Sequence, residues 1–410
     1  MIWRGTLLLL CAIAVPARAE PGFPPDAAVA EALDTHPSVL AARARLGAAR
    51  AAARGLAIGP QEVVAQAIIQ RRDVRGIGLL EEYDLQVSRP IRLPGKAALD
   101  RRAGDAGIAA ADNRADDARH QIALLLASHW WGWTGASAEA QLLDEAAGLA
   151  TQAVAATRKR MVLRDASALE LDQALAAEAS ARAAARAARG KSTAARAMLA
   201  AQFPGLPLPA NAPPLPEPVM PAEGLARLSE LVIERSHEIG ASAADLAQAD
   251  ALKARASKDR IADPTIGVRG FSEQGGNERG MGLVLSVPLG GRARAAAADQ
   301  AAAMASSASA ELAATRAAIA AIAAEDAALA DAWLGAWEQS RAAADATAAA
   351  ARRQREGHRL GGVDLADLLA TERLARDAAV EEIRSRTTAL GAITRLRIDS
   401  HTLWANEEPH

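Results

Sequence analysis

The chain has 410 residues, of which 47 are Lys or Arg and 49 are Asp or Glu, so its formal net charge is −2. Half of the residues are hydrophobic but only 3% are aromatic, and alanine supplies much of the apolar fraction. Alanine favours closely packed helices. The near-neutral, interspersed charge leaves no basic surface for a nucleic acid, which excludes DNA and RNA as partners.

The first 19 residues have the pattern of a secretory signal peptide. Arg4 precedes an apolar stretch over residues 7–15, and an Ala-Arg-Ala cleavage site follows. The apolar stretch is about half as long as the roughly 20 residues that a membrane-spanning helix needs. Cys11, the only cysteine, lies inside this segment. The sequence therefore predicts an exported, thiol-free mature protein that begins at Glu20.

The remainder of the chain contains an internal duplication. The segment "LQVSRPIRLPGKAA" from Leu85 aligns with "LVLSVPLGGRARAA" from Leu283, and "ASALELDQALAAE" from Ala166 aligns with "LGGVDLADLLATE" from Leu360. The offset stays at about 194–200 residues, which indicates a single duplication. We expect a first repeat over residues 20–202, a proline-rich linker over 203–221, a second repeat over 222–404 and a short tail over 405–410.

Each repeat is predicted to contain a helix, a β-hairpin, a long helix, a short tip and a further helix. In the first repeat these are a helix over 26–57, a hairpin at about 61–92, a long helix over 94–162, a first tip at about 162–167 and a helix over 167–202. In the second repeat they are a helix over 222–260, a hairpin at about 264–289, a long helix over 291–358, a second tip at about 358–364 and a helix over 363–400. Two shorter helices end to end match one long helix, which predicts a coiled-coil shaft on the order of 100 Å long.

The second strand of the first hairpin alternates between apolar and polar residues. Tyr83, Leu85 and Val87 share one face, while Asp84 and Gln86 lie on the other. Each candidate strand has about 10–13 residues, close to the 9–11 that a tilted strand needs to cross a bilayer. In a membrane, Tyr83, Leu85 and Val87 would face lipid. A small soluble sheet packed on the helices fits the pattern equally well.

Four strands cannot close around a water-filled lumen, and open strand edges are not tolerated in lipid. If the strands cross a membrane, several chains must share them. Three copies would supply twelve strands, which indicates a homotrimer.

The duplicated strand ends "VSRPIRLPGK" and "LSVPLGG", the strand entry "ADPTIGV" and the second tip "RLGGVDLADLLATE" together resemble the TolC family of outer-membrane efflux proteins. The resemblance covers the whole mature length. It implies a mainly α-helical chain with membrane β-structure, a homotrimer with a shared 12-stranded β-barrel in outer-membrane lipid, and a helical barrel in the periplasm. It also implies a periplasmic adaptor (membrane fusion protein) and an inner-membrane RND pump as partners.

Within that family, residues 262–297 look most like the heavy-metal branch, which exports cobalt, zinc, cadmium, copper or silver. This likeness implies a metal-cation efflux duct that is opened by its partners. A drug or type I secretion duct of the same fold is the alternative within the family. A periplasmic coiled-coil scaffold is the alternative from a different class.

No motif in the chain indicates catalysis. "GKST" at residues 190–193 ends like a phosphate-binding loop, but Ala185 stands where that motif needs glycine and the surroundings are helical. The seven histidines are scattered, and His120 and His129 are nine residues apart, off any ligand face of a helix. The sequence therefore predicts no catalytic residues, no cofactor, no metal site and no enzymatic activity.

Asp364 and Asp367 are three residues apart, so both carboxylates share a face of the helix that leaves the second tip. Such residues also suit an ordinary helix start. The resemblance favours an acidic ring around the lumen that acts as a gate and selects cations. Glu381 and Glu382, further along the same helix, are interpreted as solvated charges.

The two tips are predicted to bind the adaptor, because they are short turns at the end of a rigid shaft. The predicted docking residues are Leu163, Arg164 and Asp165 in the first tip and Arg359, Leu360, Gly361, Gly362 and Val363 in the second. Tryptophans midway along the long helices are expected to pack where the linker and the C-terminus wrap. They are Trp130, Trp131, Trp133, Trp333 and Trp337.

Overall fold

The structure is a computed structural model that describes residues 22–405, so the predicted signal peptide and most of the predicted tail lie outside the described residues. Eight α-helices and four strands follow one another in this part of the chain. The first half contains α1 (Asp26–Asp34), α2 (Pro37–Ile58), β1 (Val64–Val74), β2 (Gly78–Pro90), α3 (Lys96–Val162) and α4 (Ala168–Gln202). The second half contains α5 (Leu225–Glu234), α6 (His237–Lys258), β3 (Thr265–Glu273), β4 (Glu278–Ser286), α7 (Arg292–Arg359) and α8 (Leu365–Asp399).

The two long helices have 67 and 68 residues, which corresponds to about 100 Å each. Small side chains allow the helices to pack closely. One buried cluster joins α3, α4 and α8 almost entirely through alanine, and its members are Ala140, Leu143, Ala147, Ala181, Ala185, Ala188 and Val380. The alanine-rich composition thus forms close helix contacts, and the predicted mainly α-helical fold with two hairpins is confirmed.

The predicted first helix of each half is interrupted, which the sequence pattern did not indicate. α1 ends before Thr35, and α2 begins at Pro37, because proline at a first helical position keeps the preceding His36 out of helical geometry. In the second half, Ser236 caps α6 by accepting a hydrogen bond from the Ile239 N–H at 3.1 Å.

The four strands form one antiparallel sheet in the order β1-β2-β3-β4. Ile69 lies opposite Tyr83, Leu85 opposite Gly270, and Ile266 opposite Leu285. Within residues 22–405 no further strand pairs with β1 or β4, so the sheet has two open edges.

The chain folds as two compact units, each of which combines segments from both halves. Among the described residues, the strand-bearing unit comprises 37–120 and 232–323, and the tip-bearing unit comprises 22–36, 121–231 and 324–405. None of the helices between residues 22 and 405 carries an apolar stretch of the length that crosses a membrane.

Candidate functional site

One face of the sheet in the strand-bearing unit is apolar and exposed. Tyr83, Leu85 and Val87 are 45%, 62% and 47% exposed. The strand register places further small and apolar residues on the same face, namely Ala65, Ala67, Ile69, Ile266, Val268, Met281, Leu283 and Leu285. This apolar sheet face brings together the three residues that were predicted to face lipid. Their contact with lipid stays a prediction.

The opposite face is largely polar. Asp84 forms an ion pair with Arg269 across β2 and β3, with the Arg269 Nε 2.6 Å from a carboxylate oxygen. Arg72 and Glu82 pair across β1 and β2 at 2.5 Å. The two faces therefore differ in chemistry across the middle of the sheet, as expected when one face meets an apolar medium and the other meets water.

A buried charge network joins the start of α3 to the chain that leads into β3. The Lys96 ammonium is 2.7 Å from the Asp263 carboxylate, 2.8 Å from that of Asp259 and 2.8 Å from the Ile261 carbonyl. The side chain of Lys96 is almost fully buried. All three of its protons therefore have acceptors, which a buried ammonium requires.

The same network continues along the helices. Asp100 accepts a hydrogen bond from Arg255 at 2.8 Å and pairs with Arg92 at 3.2 Å. Arg255 also pairs with Asp259. Alternating signs leave no buried charge without a partner of opposite sign, so the network holds the sheet to the helices that adjoin it.

The two tips of the tip-bearing unit form the same backbone turn. In the first tip, the Asp165 N–H donates to the Arg160 carbonyl at 2.9 Å; in the second, the Gly362 N–H donates to the Gly357 carbonyl at 2.9 Å. The next-to-last residue of each turn is left-handed, with φ of 61° at Arg164 and 80° at Gly361. Both are helix-ending turns of the type that normally carries glycine at this position.

The tips contact each other. The Arg160 guanidinium lies 2.9 Å from the Asp165 carboxylate and 3.5 Å from the His358 ring, whose Nδ1–H donates to the Val363 carbonyl at 2.8 Å. Beneath them α3, α4 and α8 share a small buried cluster, made of Val154, Ala174, Leu365 and Leu368. Residues that were predicted separately as two docking tips therefore lie side by side.

Asp364 and Asp367 are both exposed at the start of α8. The Asp364 carboxylate accepts a hydrogen bond from the Asp367 N–H at 2.7 Å and so caps the helix. The Asp367 side chain, by contrast, forms no hydrogen bond or ion pair among the described residues. The helix-start role of Asp364 is therefore realised, and the acidic ring stays a prediction.

Aromatic residues cluster where the chain ends approach the helices. The Trp130 indole donates to the Gly22 carbonyl at 2.6 Å, and Phe23 packs edge-on against Trp131 and Trp404, with ring centroids 4.7 and 4.8 Å apart. Phe23 was missed in the sequence analysis, because a single aromatic residue among prolines gives no periodic signal.

The interpretation of Glu382 as a solvated charge is wrong. Its side chain is buried and accepts hydrogen bonds from the Trp337 indole at 2.8 Å and from the Arg386 guanidinium at 2.6 Å. Arg386 lies one helical turn later on α8 and neutralises the carboxylate. The pairing of a glutamate with a distant tryptophan cannot be deduced from spacing along the chain.

A second buried carboxylate was also missed. Asp326 of α7 lies against Asp399 at the end of α8, and Arg395 contacts both carboxylates at 2.9 and 3.4 Å. Burial, followed by the hydrogen bond and the charge of Asp399, raises the pKa of Asp326 to about 7, although Arg395 opposes the shift. The pair therefore holds a proton under conditions in which an ordinary aspartate is ionised.

Two histidines that are remote in sequence lie close enough for their charges to interact. Burial lowers the pKa of His237, the nearby Asp116 raises it and His120 lowers it further. In the part of the chain that the structure describes, no three His, Cys, Asp or Glu side chains are arranged to hold a metal ion.

The two long helices and the four-stranded sheet with one apolar face define a TolC-like fold. Solved structures with the same fold include the outer membrane protein VceC from Vibrio cholerae, with 17% identity, 92% of this chain and 95% of that chain covered, and a TM-score of 0.74. CusC, a protein that forms a transmembrane channel, has 15% identity to this chain, with 91% of each chain covered and a TM-score of 0.77. The outer membrane channel CmeC from Campylobacter jejuni has 16% identity, 94% and 87% coverage, and a TM-score of 0.73. By sequence, no protein-family model and no curated protein matches the chain.

Proposed function

We propose that this protein is the outer-membrane exit duct of a tripartite efflux system and acts as a passive, gated conduit without enzymatic activity. The observation that carries the proposal is the apolar sheet face, which is exposed on a chain with a TolC-like fold. A soluble protein rarely leaves so many apolar side chains contiguous on its surface. Lipid is the medium in which that face is stable.

The open edges of the sheet support a homotrimer. In a bilayer, the free N–H and C=O groups of β1 and β4 would lack partners at a cost of several kcal/mol each. Three copies that join β1 of one chain to β4 of the next would satisfy these groups and close a 12-stranded barrel. The helices would then extend into the periplasm, towards an adaptor and an inner-membrane RND pump.

The exported substrate in this proposal is a heavy-metal cation. The support is the likeness of residues 262–297, from "ADPTIGV" through the following strand end, to the heavy-metal branch of the TolC family. Deletion of the gene should sensitise cells to salts of zinc, cadmium, cobalt, copper or silver. Sensitivity to drugs alone would instead assign the duct to the drug-exporting branch.

The tips are proposed to dock the adaptor. The presence of glycine at position 362 supports this, because the backbone there does not require it. The φ of Gly362 is not left-handed, and the nearest atom to an added Cβ is the Gly357 carbonyl oxygen at 3.7 Å. The fold therefore tolerates a side chain at Gly362, whereas a partner that approaches the bare backbone would not.

The experiment combines localisation, assembly and resistance. The protein should fractionate with outer membranes as a heat-modifiable trimer and should form channels in planar bilayers. Gly362→Val should abolish efflux in cells while the trimer and the conductance stay normal. Gly190→Val, at another glycine with open space around it, is the matched control and should retain resistance. A soluble monomer without detergent would overturn the duct and support a periplasmic scaffold.

A further inference from the structure

Arg164 occupies a backbone conformation that the fold would fill better with glycine. It stands in the first tip where Gly361 stands in the second, and its φ is 61°. A left-handed conformation is sterically unfavourable for a residue with a Cβ, whereas glycine, which has no Cβ, adopts it without this steric cost. Stability of the turn therefore gives no reason for arginine here. Strained residues of this type are retained where the side chain has a role.

The side chain of Arg164 has no such role inside the chain. It is exposed and, among the described residues, forms no ion pair or hydrogen bond through its guanidinium. Arg158 and Lys159, near the end of α3, are likewise exposed and without a carboxylate partner in the described part of the chain. By contrast, the neighbouring Arg160 is paired with Asp165 and Glu170.

Large apolar side chains lie beside these cations. Val162 and Leu163 are 80% and 77% exposed at the end of α3, and Leu360 of the second tip is 70% exposed. A helix end that needs only water would carry polar residues at these positions. Exposed apolar residues that are rimmed by charge are typical of a protein-binding surface.

Helix electrostatics explain part of this pattern but not all of it. Cations in the last turn of a helix interact favourably with its negative end, which accounts for Lys159. Arg164 lies beyond the end of α3, in the turn itself, and glycine there would relieve the strain. A partner that supplies negative charge accounts for Arg164 and for the unpaired Arg158, and apolar side chains on the same partner account for the exposed Val162 and Leu163.

We propose that the first tip, residues 158–164, binds a protein surface that presents apolar side chains flanked by carboxylates. Val162 and Leu163 make the apolar contact, and Arg158, Lys159 and Arg164 pair with the carboxylates. This inference rests on the proposed docking role of the tips and specifies the chemistry of the partner there. The second tip contributes close backbone approach at Gly361 and Gly362, so the two tips recognise different features.

The binding test uses the full-length protein in detergent micelles and two synthetic helical-hairpin peptides as probes. Both peptides carry the same leucine-rich tip, which is flanked by glutamates in one and by lysines in the other. Wild-type protein should bind the glutamate peptide at least about tenfold more tightly, and the difference should shrink as salt is raised. Equal binding of the two peptides, or preference for the lysine peptide, would overturn the proposal.

Two substitutions at one position separate binding from folding. Arg164→Gly should leave the melting temperature unchanged or raise it, because the strain is relieved, yet it should weaken binding of the glutamate peptide. Arg164→Glu should weaken it further and bring the lysine peptide to equal or tighter binding. The control Gln274→Gly, at a left-handed non-glycine residue in the turn between β3 and β4, should leave both affinities unchanged. Loss of melting temperature in Arg164→Gly without loss of affinity would contradict the inference.

Resistance in cells distinguishes failure of this inference from failure of the docking proposal. If Arg164→Glu retains efflux while Gly362→Val abolishes it, the tips dock a partner and the acidic character of that partner is wrong. If both variants retain efflux, docking at the tips is itself wrong. If both abolish efflux while channel conductance in bilayers is normal, and the peptides discriminate as above, both proposals stand.

Discussion

Lys96 and Asp263 join two segments that the sequence presents as separate motifs. Lys96 is the last residue of "RLPGK", which follows β2, and Asp263 is the first residue of "DPTIGV", which leads into β3. The Lys96 ammonium and the Asp263 carboxylate are 2.7 Å apart. The same carboxylate accepts the Leu93 N–H at 3.0 Å, and the Ile91 N–H donates to the Pro264 carbonyl at 2.7 Å. The hairpin of the first half is thus attached to that of the second half at the point where both meet the helices.

Lys96→Met should destabilise the strand-bearing unit by about 1–3 kcal/mol, because it leaves the partly buried Asp263 carboxylate without its cation. Thermal or denaturant unfolding in detergent measures the loss. Arg373→Met is the control, since its ion pair with Asp377 is exposed and 3.6 Å long, and it should change stability by less than about 0.5 kcal/mol. Adding Asp263→Asn to Lys96→Met should recover part of the stability, and an additive double variant would show that the pair is not coupled.

The fold was predictable because its signals are local and periodic. The alternation in β2 predicted which face carries Tyr83, and the length of the alanine-rich stretches predicted α3 and α7 to within a few residues at each end. Contacts between distant side chains were not predictable in this way. Neither Glu382 with Trp337 nor Asp326 with Asp399 has a spacing that reveals the partner. Their burial depends on how the helices pack.

The Asp326–Asp399 pair should make stability depend on pH in the neutral range. The pKa of Asp326 is raised to about 7, above its value near 4 in the unfolded chain. Its protonated form therefore stabilises the fold fully below pH 4, and this contribution is lost as pH rises through 7, at about 1.4 kcal/mol per pH unit between those limits. The melting temperature should fall from pH 5 to pH 7 and level off above that.

Asp326→Asn keeps a neutral side chain at all pH values, so it should flatten this profile and raise the melting temperature at pH 8 above that of wild type. The control Asp331→Asn lies on the same helix at an exposed position and should retain the wild-type slope. Asp263 affects the pH dependence of stability with the opposite sign and at lower pH. Burial would raise its pKa, but hydrogen bonds from Lys96 and the Leu93 N–H hold it below the usual range, so its contribution is lost only on acidification below about pH 4.

Leu85→Arg should impair barrel assembly in lipid by about 2–4 kcal/mol if the site lies at mid-bilayer, and by less near an interface. Gln66→Arg is the matched control: it lies on the polar face, opposite Gln86 on the neighbouring strand. Gln86 itself is a poorer control, because Arg269 lies directly opposite it and a second arginine would add like-charge repulsion. Folding into lipid vesicles, followed by heat modification on gels, measures assembly. Equal losses in both variants would mean that the apolar sheet face does not meet lipid.

Asp364 and Asp367 are expected to select cations at the periplasmic entrance, where three chains would bring six carboxylates together. The wild-type channel should be cation-selective in planar bilayers and blocked from the periplasmic side by a trivalent cation. Asp364→Asn with Asp367→Asn should remove the block and weaken selectivity. Stability should be nearly unchanged, because asparagine also caps a helix by accepting the Asp367 backbone N–H.

Asp364→Ala, which loses that cap, should instead lower the stability of the helix start by about 1 kcal/mol. The comparison of the asparagine and alanine variants therefore separates the charge of Asp364 from its structural hydrogen bond. Asp377→Asn is the control for charge alone, because Asp377 is exposed on the same helix and pairs with Arg376 at 2.7 Å. If Asp377→Asn removes the trivalent block while the Asp364 and Asp367 double variant does not, the selectivity ring lies elsewhere on α8.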